Sequence, residues 1–363
     1  MTQKGLKKLG GYPAEVGELR QEPSSQDWVV IATGRAERPD HFAEERKTPK
    51  VWPKYKETCP FCNETKFPQE EATLRLPDDP DSWQVRVFPN RYPAFSPHEE
   101  FRSRKIGPYR VVESTGYHEI LATRWHNQTE AKMSLREHAL VLEALALRYR
   151  DLKSKDSVNY IQIIKNHGPE AGGSLAHPHH QIFTVPVLPG DIARYLNGAE
   201  AYFKTHGREV FADMIAFERD SGDRVVFEND DFIAFCPFAS RVPFETWIVP
   251  KKSDPFFENI TPAQRDSLAE AMQYIFRRLH KGLNDPPYNY YLHSAPCDTT
   301  GFVCNLKTFQ HYRWHIEILP RLTTFGGFEL GTGLEINTAL PEESAKFLRE
   351  LSPSSEGEPE GVA

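Results

Sequence analysis

Three histidines and an amide stand together at His177-Pro178-His179-His180-Gln181, entered through Ala171-Gly172-Gly173-Ser174. In an extended chain, residues two apart share a face, so His177, His179 and Gln181 point one way and Pro178 and His180 the other. The glycines ahead of them let a phosphate approach the backbone without meeting a side chain. Imidazole is suited to attack phosphorus near neutral pH, being partly unprotonated, nucleophilic at nitrogen and able to leave afterwards. Two isolated histidines would read as a strand edge or a surface metal tract. This alternation after a Gly-Gly-Ser turn points instead to a phosphorus-attacking histidine on a strand. A second candidate is Cys59-Pro60-Phe61-Cys62, whose spacing lets two thiolates reach one tetrahedral ion. Taken alone it is half a zinc site, a redox pair or chance, and no redox-type helix follows it.

These residues need strands and helices to hold them. Strand-like runs are expected at 158–164, 181–185, 224–227, 232–235, 247–249, 288–293 and 315–319. Two helices stand out by apolar spacing, 134–152 behind a Ser134 cap and 262–279 behind Thr261 with Pro262 in the first turn. The order strand, helix, strand, histidine-bearing strand then occurs twice. In this reading the second copy carries Glu317 where the first carries His179. The expected fold class is α+β, two histidine-triad-like half-domains, each an antiparallel sheet with helices, forming one compact chain. The first half spans 9–190 with the catalytic and zinc residues, and the second, 191–351, contributes to the substrate pocket. Residues 1–8 and 352–363 are poor in apolar side chains and are expected to be flexible.

With 363 residues, the chain is long enough for real cores. A net charge of −7 without a basic block argues against a nucleic-acid partner. No apolar run approaches the ~20 residues of a membrane span, and no signal core follows Met1. Five cysteines, an odd number, argue against a disulfide framework; Cys297 and Cys304 read as free thiols. These features fit a cytoplasmic enzyme.

Residues 166–183, Asn-His-Gly-Pro-Glu-Ala-Gly-Gly-Ser-Leu-Ala-His-Pro-His-His-Gln-Ile-Phe, resemble the active-site segment of the galactose-1-phosphate uridylyltransferase family, a branch of the histidine-triad superfamily. That family carries His-Pro-His-Gly-Gln, and here His180 replaces the glycine. The resemblance implies His179 as a nucleophile that forms a nucleotidyl-histidine, Gln181 as a holder of phosphate oxygens, and a structural zinc bound by Cys59, Cys62, His126 and His177. It also places Arg35 and Arg38, Asn90, Asn166, Gly172, Gly173 and Ser174 on the nucleotide and its phosphates. Some members carry a second metal in the latter half. His293, His315 and Glu317 resemble its ligands, but Tyr195 stands near a required glutamate, and 207–218 holds no cysteine pair.

The implied reaction is a ping-pong nucleotidyl transfer from a nucleotide sugar to a sugar phosphate or phosphate, by a homodimer. The wording His-Pro-His favours a UDP-glucose–hexose-1-phosphate uridylyltransferase. Gly326-Gly327-Phe328-Glu329-Leu330-Gly331 is similar to the branch with plant ADP-glucose phosphorylase, where the acceptor is inorganic phosphate. A histidine-triad nucleotide hydrolase and a non-catalytic nucleotide- or zinc-binding protein are the remaining readings; Gln181 in place of a third histidine favours transfer over hydrolysis.

Overall fold

The computed structural model describes residues 17–32, 42, 51–98, 102–155, 158–297 and 309–351. Arg35, Arg38, Cys304 and the expected flexible ends 1–8 and 352–363 lie outside these described residues.

The chain begins with β1 (Glu18–Gln21), β2 (Trp28–Ile31), β3 (Leu74–Leu76), β4 (Val85–Pro89), β5 (Ser103–Ile106), β6 (Tyr109–Val112) and β7 (His118–Thr123). Helix α1 (Leu135–Lys153), β8 (Tyr160–His167) and β9 (His179–Val185) complete the first half. The second half runs α2 (Gly190–His206), α3 (Val210–Ser221), β10 (Val225–Glu228), β11 (Phe232–Phe235), β12 (Thr246–Pro250), α4 (Pro262–Gly282), β13 (Tyr288–His293) and β14 (His315–Pro320). Helix α5 (Gly327–Thr332), β15 (Glu335–Asn337) and α6 (Pro341–Glu350) follow.

Both long helices start where the side-chain chemistry says they should. Ser134 and Glu137 form a reciprocal capping box at α1, and Thr261 and Gln264 form one at α4, where Pro262 spends no needed N–H. The strands at 232–235 and 288–293 stand where strand-like runs are expected, whereas α2 opens on Gly190 with no side-chain cap and offers no such start signal.

The expected α+β class holds, with one change of emphasis. The two half-sheets are a single antiparallel sheet of ten strands, in the order β10-β11-β12-β14-β13-β8-β9-β7-β4-β3. Each half supplies five strands in matching order, and they join edge to edge where Tyr288–Leu292 of β13 pairs with Ile163–His167 of β8. Helices α1 and α4 pack together on one face, burying Leu142, Leu145, Ile161, Ile163, Ile275 and Phe276 in a common core. On the other face, α2 and α3 cover the second half, with Tyr195, Leu196 and Phe211 against Phe235, Trp247 and Val249. The same face of the first half carries His179 and Gln181.

Register also corrects the internal repeat. Strands β9 and β14 begin at His179 and His315, and each ring Nδ1 bonds the carbonyl two residues back, that of His177 at 2.8 Å and that of Arg313 at 3.0 Å. His315 is therefore the counterpart of His179, and Glu317 that of Gln181, a one-pleat shift from the sequence pairing. Among the described residues no helix is long and apolar enough to cross a membrane, and Cys59, Cys62, Cys236 and Cys297 are free thiols.

Candidate functional site

The alternation expected around His179 is present with a shorter strand. β9 starts at His179, so His177 sits in the bend before it, although both rings pack edge-on against Phe61, at 5.4 Å for His179 and 5.7 Å for His177. His180 turns to the helical face. There its Nε2 meets the Tyr290 hydroxyl, close to a fully buried Lys165–Glu130 pair at 2.9 Å.

A carbonyl can only accept, so the 2.8 Å contact from His177 O means that Nδ1 of His179 carries the proton. Nε2 is then the lone-pair nitrogen. His179 lines a cleft of about 390 Å³ with Phe61, Phe88, Asn90, Ser174 and Gln181. Burial, and next the nearby Lys165 ammonium, push the His179 pKa down to about 4, which keeps the ring neutral in ordinary conditions.

The sequence reading missed His118. It lies on β7 across from Phe183, stacked on that ring at 4.0 Å, and its Nε2 sits 2.9 Å from Gln181 Oε1 and 3.0 Å from Asn90 Nδ2. The Ala94 N–H donates to Nδ1, so Nε2–H donates to Gln181 and turns that residue's amide NH2 outward as a donor. Burial lowers the His118 pKa, in keeping with this neutral tautomer. No local signal marks His118 in sequence, because its partner is 63 positions away.

The Gly-rich turn is tighter than the sequence suggests. A side chain on Gly173 would come within 2.7 Å of the Gly168 carbonyl, and Gly172 has φ of +78°, so both positions require glycine. Their N–H groups bond to Gly168 O and Pro169 O, each at 2.9 Å. They are spent inside the turn, and neither is left to meet a phosphate as expected. Asn166 receives Asn289 Nδ2 on its amide oxygen at 2.8 Å, leaving its own NH2 outward.

Cys59, Cys62, His126 and His177 come together, with one donor atom from each all within 4.8 Å. The Sγ to Nδ1 distances are 3.3 Å (Cys62–His177), 3.5 Å (Cys62–His126) and 3.6 Å (Cys59–His177). Two ligands at usual Zn–S and Zn–N lengths and a tetrahedral angle stand about 3.6 Å apart. The His177 ring donates Nε2–H to Thr123 O at 2.7 Å, which aims the Nδ1 lone pair at the sulfurs. Burial pushes the Cys62 thiol up to about 11, a cost that a bound cation would reverse by displacing the proton. The residues fit a metal ion with four protein ligands.

His293, His315 and Glu317 also cluster within 4.8 Å. Here Glu317 already receives the Tyr195 hydroxyl at 2.8 Å and pairs with the half-buried Arg241 guanidinium, so its charge is compensated from within the chain.

Residues 14–189 match the family model described as galactose-1-phosphate uridyl transferase, N-terminal domain, and residues 196–356 match its C-terminal domain. The ADP-glucose phosphorylase of Arabidopsis thaliana is 32% identical over 338 residues, covering 92% of this chain and 93% of that one. The galactose-1-phosphate uridylyltransferase of Thermotoga maritima is 29% identical over 344 residues, covering 92% and 98%. The crystal structure of the Arabidopsis ADP-glucose phosphorylase with bound ADP-glucose superposes with a TM-score of 0.76 at 29% identity, covering 93% of this chain and 100% of that one.

Proposed function

Because this chain belongs to the galactose-1-phosphate uridyl transferase family, we propose that it transfers a nucleotidyl group from a nucleoside diphosphate sugar to a phosphate acceptor through a covalent nucleotidyl-His179 intermediate. The observation that carries this reading is the His179 tautomer, with Nδ1–H held by His177 O and Nε2 free toward the cleft. The Nε2 lone pair attacks the α-phosphorus, the bond to the sugar phosphate oxygen breaks, and the electron pair departs on that oxygen. An acceptor phosphate oxygen then attacks, and the P–N electrons return to Nε2. No proton needs to move in either step.

The outward amide of Gln181, set by His118, donates to a non-bridging oxygen as charge builds on it. Ser174 and Asn166 sit beside the same path, while Asn90, Arg35 and Arg38 serve the nucleotide, with Gly172 and Gly173 shaping the turn. Zinc on Cys59, Cys62, His126 and His177 would be structural, since four protein ligands leave no open position. In this division the half at 9–190 does the chemistry and the half at 191–351 completes the substrate pocket.

The His-Pro-His wording supports the uridylyl type with a hexose 1-phosphate acceptor. An adenylyl type with inorganic phosphate is supported by the 32% identity to the Arabidopsis relative. Exchange assays pairing UDP-glucose or ADP-glucose with galactose 1-phosphate or inorganic phosphate decide between them. Absence of exchange in all four pairings, with no label on His179, would overturn the proposal.

A further inference from the structure

A polar row runs through the core directly behind the nucleophile. Lys165 of β8 pairs with His180 of β9 on one side and with Tyr290 of β13 on the other, and Asn289 pairs with Asn166. His179, Asn166 and Asn289 therefore share a row on the cleft face, and their chain neighbours His180, Lys165 and Tyr290 share one on the helical face. This second row crosses the seam between the two halves. One pleat further along, the same three strands present Ile182, Ile163 and Leu292, all in the core with α1 and α4.

The polar row is shut off from solvent. His180, Lys165 and Tyr290 are at most 2% exposed, as is Glu130 from the segment before α1. Lys165 Nζ stands 2.9 Å from Glu130 Oε1, the Tyr288 hydroxyl donates to Glu130 Oε2 at 2.7 Å, and His180 Nε2 meets the Tyr290 hydroxyl. Burial works against the Glu130 carboxylate, yet the Lys165 ammonium holds its pKa well below the usual range, so the pair is ionised. Such a pair adds little net stability over apolar residues of similar volume; its effect is on register. A purely aliphatic row tolerates a slip of two residues, because the faces are kept and one apolar side chain replaces another. Here the same slip of β8 would move Lys165 between Ile182 and Leu292, away from Glu130. Register matters to the cleft because Asn289 Nδ2 donates to Asn166 Oδ1 at 2.8 Å and so turns the Asn166 NH2 outward.

We propose that Lys165, Glu130 and Tyr290 are positioning residues for the transfer reaction, locking β8 and β13 in register with β9 so that Asn166 and His179 meet the phosphate together. The second half of the chain then acts on the nucleophile through the core, and the proposal rests on the nucleotidyl-transfer reading. Two variants of the full chain separate positioning from packing. Lys165→Met with Glu130→Gln removes both charges and keeps an acceptor for Tyr288, while Tyr290→Phe removes one hydroxyl and carries the test if the double variant does not fold. Single-turnover labelling of His179, from whichever of UDP-glucose and ADP-glucose the wild type uses, is measured beside thermal denaturation and calorimetric binding of UMP and AMP. The double variant should keep or raise its unfolding temperature and hold nucleotide affinity within about twofold, yet label about tenfold more slowly or worse. Tyr290→Phe should slow labelling by about threefold with affinity unchanged. Labelling at the wild-type rate in Tyr290→Phe, or a rate loss matched by an equal loss of nucleotide affinity, would overturn the positioning role alone. Absence of label on the wild type would sink the covalent mechanism and this role with it.

Discussion

The backbone carbonyl of His177 lies 2.8 Å from Nδ1 of His179, while the His177 ring turns its own Nδ1 to within 3.3 Å of the Cys62 sulfur. One residue therefore belongs to the Cys/His cluster through its side chain and sets the His179 tautomer through its main chain. Phe61, from the loop between the two cysteines, touches both rings. Disturbing the cluster must reach His179 along two routes.

Replacing Cys59 and Cys62 together by serine should lower bound zinc from about one per chain and destabilise the fold, since structural zinc contributes on the order of 10 kcal/mol coupled to folding. Activity should be lost through heat sensitivity first, because the nucleophile itself is intact. Elemental analysis and thermal denaturation check this. Unchanged zinc content in the double variant would remove the pair from the ligand set.

His179→Ala should abolish turnover, and His179→Gly should regain some with added imidazole, the missing ring. In the wild type, label from a radioactive nucleotide sugar should be acid-labile and map to His179. Full activity in His179→Ala would refute the nucleophile.

Gln181→Leu removes a donor aimed at developing charge, and such losses cost about 10²–10³ in kcat. His118→Phe keeps the ring stack on Phe183 but frees the Gln181 amide to rotate, so it should show a smaller drop in the same parameter. Single-turnover labelling of His179 measures both. Equal rates in His118→Phe and wild type would show that His118 does not orient Gln181.

Acid sensitivity follows from buried groups of opposite sign. Burial lowers His179 to about 4 and His293 to about 3, while it raises Glu22 to about 7. Near pH 5.5, the unfolded chain holds about two protons on these histidines that the folded chain lacks, and the folded chain holds about one on Glu22 that the unfolded chain lacks. Their net difference of one proton makes stability fall on acidification by about 1.4 kcal/mol per pH unit. Glu22→Gln removes the opposing group, so its stability should fall more steeply there. Urea titrations at pH 6.5, 5.5 and 4.5 compare the slopes, and identical slopes would rule out a protonated Glu22.

Much of the candidate site was legible because it is local. The Gly-Gly-Ser turn, the His179–Gln181 alternation and the capping residues Ser134 and Thr261 each act within a few positions, where spacing carries the geometry. His118 was not legible, since its role exists only through pairing of β7 with β9. The same limit explains the repeat: the order of elements suggests matching Glu317 with His179, whereas hydrogen-bond register matches it with Gln181. The spent N–H groups of Gly172 and Gly173 escaped notice because composition reveals that a turn is tight but not which amides it uses.

The seam between β8 and β13 has a consequence for how such a chain arises. Each half contributes a long central strand whose free edge, in isolation, would present a row of unpaired amides and carbonyls to solvent. Because the two strands run antiparallel and the strand orders mirror each other, two copies of one half would meet that need by pairing with each other about a twofold axis. The ten-stranded sheet thus has the form of a fused dimer with unlike halves, in which the position matching His179, His315, lies in a buried ion-pair environment with Glu317 instead of facing a cleft beside an amide.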